Sequence, residues 1–87
     1  MEKILRTLEH LSYIIECASV DFMGEAKTEL QRLCEDLEND SEYFFAEKEA
    51  VSAELRDALS KYKNHNYKAG TSKLASTNRK LWRLVIP

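Results

Sequence analysis

The chain has 87 residues, of which 44% are hydrophobic and 32% charged, and its formal net charge is −2. A chain of this length folds as one domain and buries roughly 60–65% of its unfolded surface, enough for one modest core. It has no run of about 18 apolar residues and no pattern of a secretory signal, so we expect no membrane association. Cys17 and Cys34 are too few for a disulfide scaffold and are typical of small core residues in the reducing cytoplasm, where we expect the protein.

Charge is distributed very unevenly along the chain. All 15 acidic residues lie in 1–60 with six of the 13 basic ones, which gives this part a net charge of −9. Residues 61–87 contain no acid and have a net charge of +7. We interpret 1–87 as a single helical domain with an acidic helical part, 1–60, and a basic C-terminal segment, 61–87. Such a split indicates that the basic segment either binds an anionic partner or folds onto the acidic part of its own molecule.

Apolar periodicity predicts two helices in the first 40 residues. With only two glycines and one proline, the composition favours helix. The first helix carries an apolar seam at alternating spacings of four and three: Ile4, Leu8, Leu11, Ile15, Ala18 and Phe22. After Gly24 the pattern resumes one position out of phase, so we predict a turn or kink at Gly24. The second stripe is Ala26, Leu30, Leu33 and Leu37.

A turn at residues 39–41 is expected to precede a third helix. Asn39, Asp40 and Ser41 are residue types that cap helix N-termini, and Glu42 follows Asn39 at the spacing of a capping box. The helix should run from about Glu42 to Lys63 and end at residues 64–66. Its inward stripe is Phe44, Lys48, Val51, Leu55, Ala58 or Leu59, and Tyr62.

A fourth helix is predicted after a break at Ala69 and Gly70, with Thr71 or Ser72 as its cap. The inward residues are Leu74, Asn78, Leu81 and Val85. Residues 81–86 are apolar enough to form a strand, but a lone strand would have nothing to pair with, so helix is favoured. The predicted fold is all-α, an antiparallel bundle or hairpin of three to four helices that dimerises.

The acidic run from Asp36 to Glu47 matches the spacing of a twelve-residue calcium loop, with oxygens at positions 1, 3, 5 and 7 and a glutamate at position 12. Ser41 stands where the loop needs glycine for its sharp turn, and Leu37 is required by the core of the second helix. We therefore predict an inter-helix turn that binds no calcium, and keep a single calcium site as a weak third interpretation.

Other sites of catalysis or metal binding are not indicated. His10 and Cys17 lie about two helical turns apart, roughly 10 Å, too far to share one zinc ion. Cys34 and His65 lie on other elements with no ligand spacing in common. The chain has no glycine-rich phosphate loop. We expect no enzyme activity, no cofactor and no metal.

The basic segment contains aromatic residues among its lysines and arginines. This mixture suits nucleic acid, because lysine and arginine bind phosphates and aromatic rings stack on unpaired nucleobases. The candidate nucleic-acid or anion contacts are Lys61, Lys63, Lys68, Lys73, Arg79, Lys80, Arg83 and Trp82. We favour internal complementation instead, in which all of these bases except Arg83 face acids of helices two and three. Leu81 and Trp82 would anchor the segment by apolar burial.

Function is inferred from these faces alone. Three amphipathic helices carry more apolar surface than a thin bundle covers, so a homodimer is predicted. Its interface is predicted to be Ile4, Leu8, Leu11, Ile15 and Phe22. We expect a small non-enzymatic module, an adaptor, regulator or inhibitor, that docks a helical surface on an unidentified protein. The alternative is a nucleic-acid-binding regulator that uses the basic segment.

Overall fold

The computed structural model describes residues 2–40 and 47–86. Within these ranges the chain forms four α-helices and no strand. The helices are α1 (Glu2–Ser19), α2 (Met23–Asn39), α3 (Lys48–Lys63) and α4 (Tyr67–Val85). The expectation of an all-α fold is confirmed, and at 16 to 19 residues each the helices match the 32 Å long dimension of the molecule.

The four helices close into a ring. α1 packs against α2 and α4, and α3 packs against the same two helices. The connections between α1 and α2 and between α3 and α4 are three residues each, which makes those pairs antiparallel. α1 and α4 are antiparallel as well, since Leu5 shares a groove with Trp82 while Asp21 shares one with Lys68. One core lies inside the ring.

Leucine dominates this core. The stripe predicted for α2 is completely buried. Leu55 and Tyr62 of α3 are completely buried as well, and Leu59 is almost completely buried. Each such leucine contributes roughly 1.5–3 kcal/mol by leaving water. Among the described residues Tyr62 is the largest side chain with no exposure, and its hydroxyl forms a hydrogen bond with Thr71 Oγ1 at 2.7 Å, which satisfies the polar end of the ring.

The first turn lies upstream of the predicted position. α1 ends at Ser19, and Asp21 adopts a left-handed φ of 64°. Phe22 N–H donates to Cys17 C=O at 2.9 Å and Asp21 N–H to Ala18 C=O at 3.2 Å, the bond pair of a Schellman motif. Gly24 is instead part of α2. The phase slip read as a kink at Gly24 therefore comes from a three-residue connection before it.

The predicted break at Gly70 is also wrong, because Gly70 is a buried residue inside α4. A Cβ added there would lie 2.5 Å from Cδ1 and Cε1 of Tyr62. The glycine is needed for close packing of α4 on α3, and the helix starts four residues earlier than Thr71. The end of α3 is as expected, with a second Schellman motif at His65 and Asn66.

Residues 81–85 are helical, which confirms helix over strand. Leu74 and Leu81 are fully buried as predicted, whereas Trp82, predicted to be an anchor, is half exposed. The capping box of Asn39 and Glu42 and the inward position of Phe44 involve residues 41–46, which lie outside the described part of the chain.

Candidate interaction surface

The predicted dimer seam lies inside the chain's own core. Leu8 and Leu11 are buried between helices of the same chain, and Ile4 and Ile15 pack against that core. Phe22 follows the end of α1 and is 64% exposed. The reason is α4, which closes the ring and covers the face of α1 that the sequence left open. This seam is therefore not an available interface.

Three of the seven bases of the C-terminal segment pair with acids of α3. Lys61 Nζ lies 2.9 Å and Lys73 Nζ 3.8 Å from Asp57 Oδ2. Lys80 donates to Glu54, which also accepts a hydrogen bond of 3.1 Å from Thr77 Oγ1. Internal complementation is thus found for these three bases, and their acids come from the third helix alone.

The other four bases, Lys63, Lys68, Arg79 and Arg83, are exposed and have no acid within ion-pair distance in the described part of the chain. Lys68, Arg79 and Arg83 share the outward side of α4, since their spacings of eleven and four residues return to one helix face. α4 contains no acid. Its outer face is therefore an uncompensated basic stripe.

A groove of about 340 Å³ lies between α1 and α4. Three large side chains around it are exposed: Leu5 at 38%, Tyr13 at 45% and Trp82 at 42%. Its lining is completed by Leu8, Glu9, Ser12 and Glu16. We call this set of seven residues the α1/α4 surface.

The part of the α1/α4 surface that belongs to α1 contains two acids. Glu9 and Glu16 lie seven residues apart on the same face of α1, both exposed, with no base within ion-pair distance in the described ranges. Tyr13 lies between them in the sequence, and its hydroxyl donates a hydrogen bond to Glu25 Oε2 of α2 at 2.9 Å. Interactions with Cys17 and Glu25 raise the pKa of this hydroxyl. The α1/α4 surface thus combines exposed apolar and aromatic side chains with two acids of α1, and within the described part of the chain no base lines its groove.

The helices that form this surface are fixed to each other by a polar contact. Asn78 Nδ2 of α4 donates to Ser12 Oγ of α1 at 3.3 Å. Asn78, predicted to face inward, is only partly buried and sets the register between the two helices instead.

A second groove, of about 360 Å³, lies between α3 and α4. Val51 and Ala50 form its apolar floor, and Leu84, 40% exposed, forms one wall. The Glu54–Lys80 pair lies in its lining, which also includes the exposed side chains of Glu47 and Arg83.

Two candidate reactive groups outside these grooves, His10 and Cys34, are engaged or buried. His10 Nε2 lies 2.9 Å from Glu29 Oε1 between α1 and α2. Burial raises the pKa of the Cys34 thiol to about 11, so the reactive thiolate is scarce at neutral pH. Among the described residues no group of three His, Cys, Asp or Glu side chains could hold a metal ion.

The calcium-loop residues are only partly described, since positions 41–46 fall outside the described ranges. Asp36 and Glu38 lie in α2, which continues to Asn39. Glu38 accepts two hydrogen bonds from Arg56 of α3, at 2.7 Å from Nε and 2.6 Å from Nη2. The absence of calcium binding stays a prediction, checked by calorimetric titration.

Comparison with protein-family models, with curated proteins and with solved structures finds no match for the chain. No helix in the described ranges has both the length and the apolar character of a membrane span.

The α1/α4 surface combines residues that the sequence placed apart. Trp82 is a predicted candidate for nucleic-acid contact, whereas Leu5 is not among the predicted site residues. The missing signal was the pairing of first and last helices. Leu5, Glu9, Ser12 and Glu16 recur at spacings of three and four, so this face of α1 was detectable as a stripe.

Proposed function

We propose that the protein is a small non-enzymatic interaction module, an adaptor, regulator or inhibitor, that docks on another protein through the α1/α4 surface. One observation carries the proposal: Leu5, Tyr13 and Trp82 are exposed around one groove and do not belong to the buried core of the described residues. We also propose that it acts in the cytoplasm and assembles as a homodimer.

The composition of the surface favours protein docking. Trp and Tyr are enriched among the residues that dominate interface energetics, especially where an apolar centre is surrounded by polar groups. Full burial of each large side chain contributes roughly 1.5–3 kcal/mol. The non-enzymatic part of the proposal is supported by Cys34, a buried thiol with a raised pKa, and by His10, which is held by Glu29.

Affinity capture with immobilised protein tests this function. Wild type is compared with Trp82→Ala and with Leu84→Ala, the matched control, since Leu84 lies on the same helix with similar exposure and faces the other groove. We expect a protein retained by wild type and Leu84→Ala and lost with Trp82→Ala. Equal retention by all three variants contradicts the use of this surface.

Nucleic-acid binding is the second candidate function, favoured by the uncompensated stripe of Lys68, Arg79 and Arg83 beside an exposed Trp82. Binding of mixed single-stranded RNA at two salt concentrations tests it. About three phosphate contacts predict a slope of log K against log salt of about −2. Absence of binding at low salt rejects this function, and a flat slope rejects the phosphate contacts.

A further inference from the structure

We propose that the groove of the α1/α4 surface binds a basic amphipathic helix of a partner protein. The apolar side chains of that helix fill the groove, and its lysine or arginine side chains face Glu9 and Glu16. This inference rests on the proposed function, because it identifies the chemistry of the partner for the same surface. The shape and the charge of the groove support it independently.

The groove has the shape of a site for one more helix. It lies between two antiparallel helices that pack against each other. Its lining on α1 extends from Leu5 to Glu16, a rise of about 16 Å or three helical turns. Asn78 of α4 is level with Ser12, as their hydrogen bond shows, so Trp82 lies opposite about residue 8 of α1. An amphipathic helix can lay its apolar stripe into a groove of this length.

The side chains around the groove are held in place before any partner binds. The hydroxyl of Tyr13 donates to Glu25 Oε2 of α2 at 2.9 Å, which orients the ring. The hydrogen bond of Asn78 to α1 fixes the spacing of the two helices. Trp82 follows Leu81, which is fully buried, so the backbone that carries the indole is anchored in the core. Such preorganisation reduces the entropy that is lost on binding.

The charge of the groove selects the chemistry of the helix. Glu9 and Glu16 line the groove and are exposed, and no base of the described residues lines it with them. The two acids lie seven residues apart on α1, a rise of about 10 Å. Residues i and i+7 of a helix laid along the groove have the same rise. Lysine or arginine at these positions therefore meets both carboxylates, whereas glutamate there is repelled by them.

The basic side of α4 in a second copy does not match this description. It carries Lys68, Arg79 and Arg83, and Ser72 and Ser76 lie among them on the same face of the helix. That face offers positive charges without an apolar stripe that could fill the groove. We therefore expect the helix to come from a different protein.

Selection from a displayed library of helical peptides tests the chemistry of the partner. Each peptide has a stripe of leucines at helical spacing over about 18 residues, and its flanking positions are lysine, glutamine or glutamate at random. The baits are wild type, the charge-reversed variant Glu9→Lys with Glu16→Lys, and the control Glu35→Lys with Glu49→Lys. The control has the same net charge as the charge-reversed variant, and its substituted acids lie outside the groove. All four acids are exposed, so circular dichroism should show every bait folded.

Wild type and the control should enrich lysine at flanking positions seven residues apart, and the charge-reversed variant should enrich glutamate there. A selected peptide without tryptophan is then titrated against each protein. Trp82 is the one tryptophan of the chain, so a shift of its emission to shorter wavelength reports occupation of the groove. Glu9→Gln with Glu16→Gln should weaken binding of this peptide about 2- to 30-fold, the range for loss of two exposed ion pairs.

Four results overturn the inference: no preference for lysine, an unchanged preference in the charge-reversed variant, loss of the preference in the control, or binding without a change in Trp82 emission. Light scattering that gives twice the chain mass of 10.1 kDa for wild type and the single-chain mass for Trp82→Ala also overturns it, because the occupant is then a second copy. If the inference fails while affinity capture retains a protein through Trp82, the proposed function stands. Basic peptides that bind at Trp82 without any such protein support the chemistry of the groove and contradict the proposed function.

Discussion

At the scale of single residues, the two glycines of this chain have opposite roles although both lie in helices. Gly70 is buried against the ring of Tyr62, where a Cβ has no room. Gly24 is exposed near the start of α2, and an added Cβ meets nothing within 4 Å. Sequence propensity treats them alike, since alanine is the better helix former at any interior position.

Alanine substitution should therefore change stability in opposite directions at these two glycines. Gly70→Ala forces the buried Tyr62 ring to move, which costs about 1–3 kcal/mol and outweighs a propensity gain of up to about 1 kcal/mol. Gly24→Ala keeps only the gain, about 0.5–1 kcal/mol. Urea unfolding measures both, and each variant is the control for the other. A stabilised Gly70→Ala would show that the helices can separate at Tyr62 without loss.

Asp21 provides a second residue-scale prediction, because its left-handed φ of 64° suits glycine better than any other residue. Asp21→Gly should raise stability by about 0.5–1 kcal/mol. Asp21→Ala is the matched control: it removes the same carboxylate but keeps a Cβ, and should lower stability. Thermal unfolding distinguishes the two, and equal melting temperatures would mean that backbone conformation at this turn has no influence.

At the scale of helices, the packing of α3 on α4 depends on acids that must be ionised. Burial alone would raise the pKa of Glu54, but hydrogen bonds from Lys80 and Thr77 outweigh it and hold the pKa below the ordinary value of 4.5. A hydrogen bond from Lys61 lowers the pKa of Asp57 below its ordinary 3.8. Because the folded pKa values are below the unfolded ones, this stabilisation is present above the ordinary pKa values and is lost as the pH falls through the folded values.

Glu54→Gln is therefore expected to lower stability at neutral pH by about 0.5–1 kcal/mol, the range for a partly exposed pair. It should also make the decline of stability between about pH 5 and pH 3 shallower, because one group with a lowered pKa is gone. Urea midpoints across this range measure both effects. Glu49→Gln, on the same helix and exposed, is the control for loss of one carboxylate and should leave stability at neutral pH as in wild type. Parallel profiles for wild type and Glu54→Gln would contradict the role of this pair.

The helices show which features of the fold the local sequence pattern predicts and which it does not. The stripes of α2 and α3 could be read because each buried residue recurs at helical spacing with no competing signal. The two glycines led to wrong predictions, since glycine indicates a turn by propensity. In the structure Gly24 is tolerated near the start of a helix, and Gly70 is required by packing. The exposed position of Trp82 depends on α1 lying beside α4, a contact between distant parts of the chain that periodicity cannot contain.

At the scale of the whole molecule, α4 forms one side of the core, although its composition alone is typical of a basic segment that lies outside a core. Leu74 and Leu81 are fully buried, and Thr77, which the sequence did not indicate, is buried with its hydroxyl on Glu54. α4 closes the ring by contacting both α1 and α3. Part of the charge difference between residues 1–60 and 61–87 is thus compensated inside the molecule, through ion pairs of Lys61, Lys73 and Lys80.

Truncation after Gly70 should consequently abolish cooperative unfolding. It removes Leu74 and Leu81, worth roughly 1.5–3 kcal/mol each, and uncovers leucines of α1 and α3 at similar cost. Together these losses match the total stability of a small domain, about 5 kcal/mol at the low end. Differential scanning calorimetry of the truncated chain should show no transition, and an apolar dye should bind to the uncovered faces. Ile86→Ala, at an exposed position beyond the helix, is the control and should melt as wild type does. A truncated chain that unfolds cooperatively within a few degrees of the intact protein would instead make α4 a detachable arm, and the α1/α4 surface would lose its fixed register.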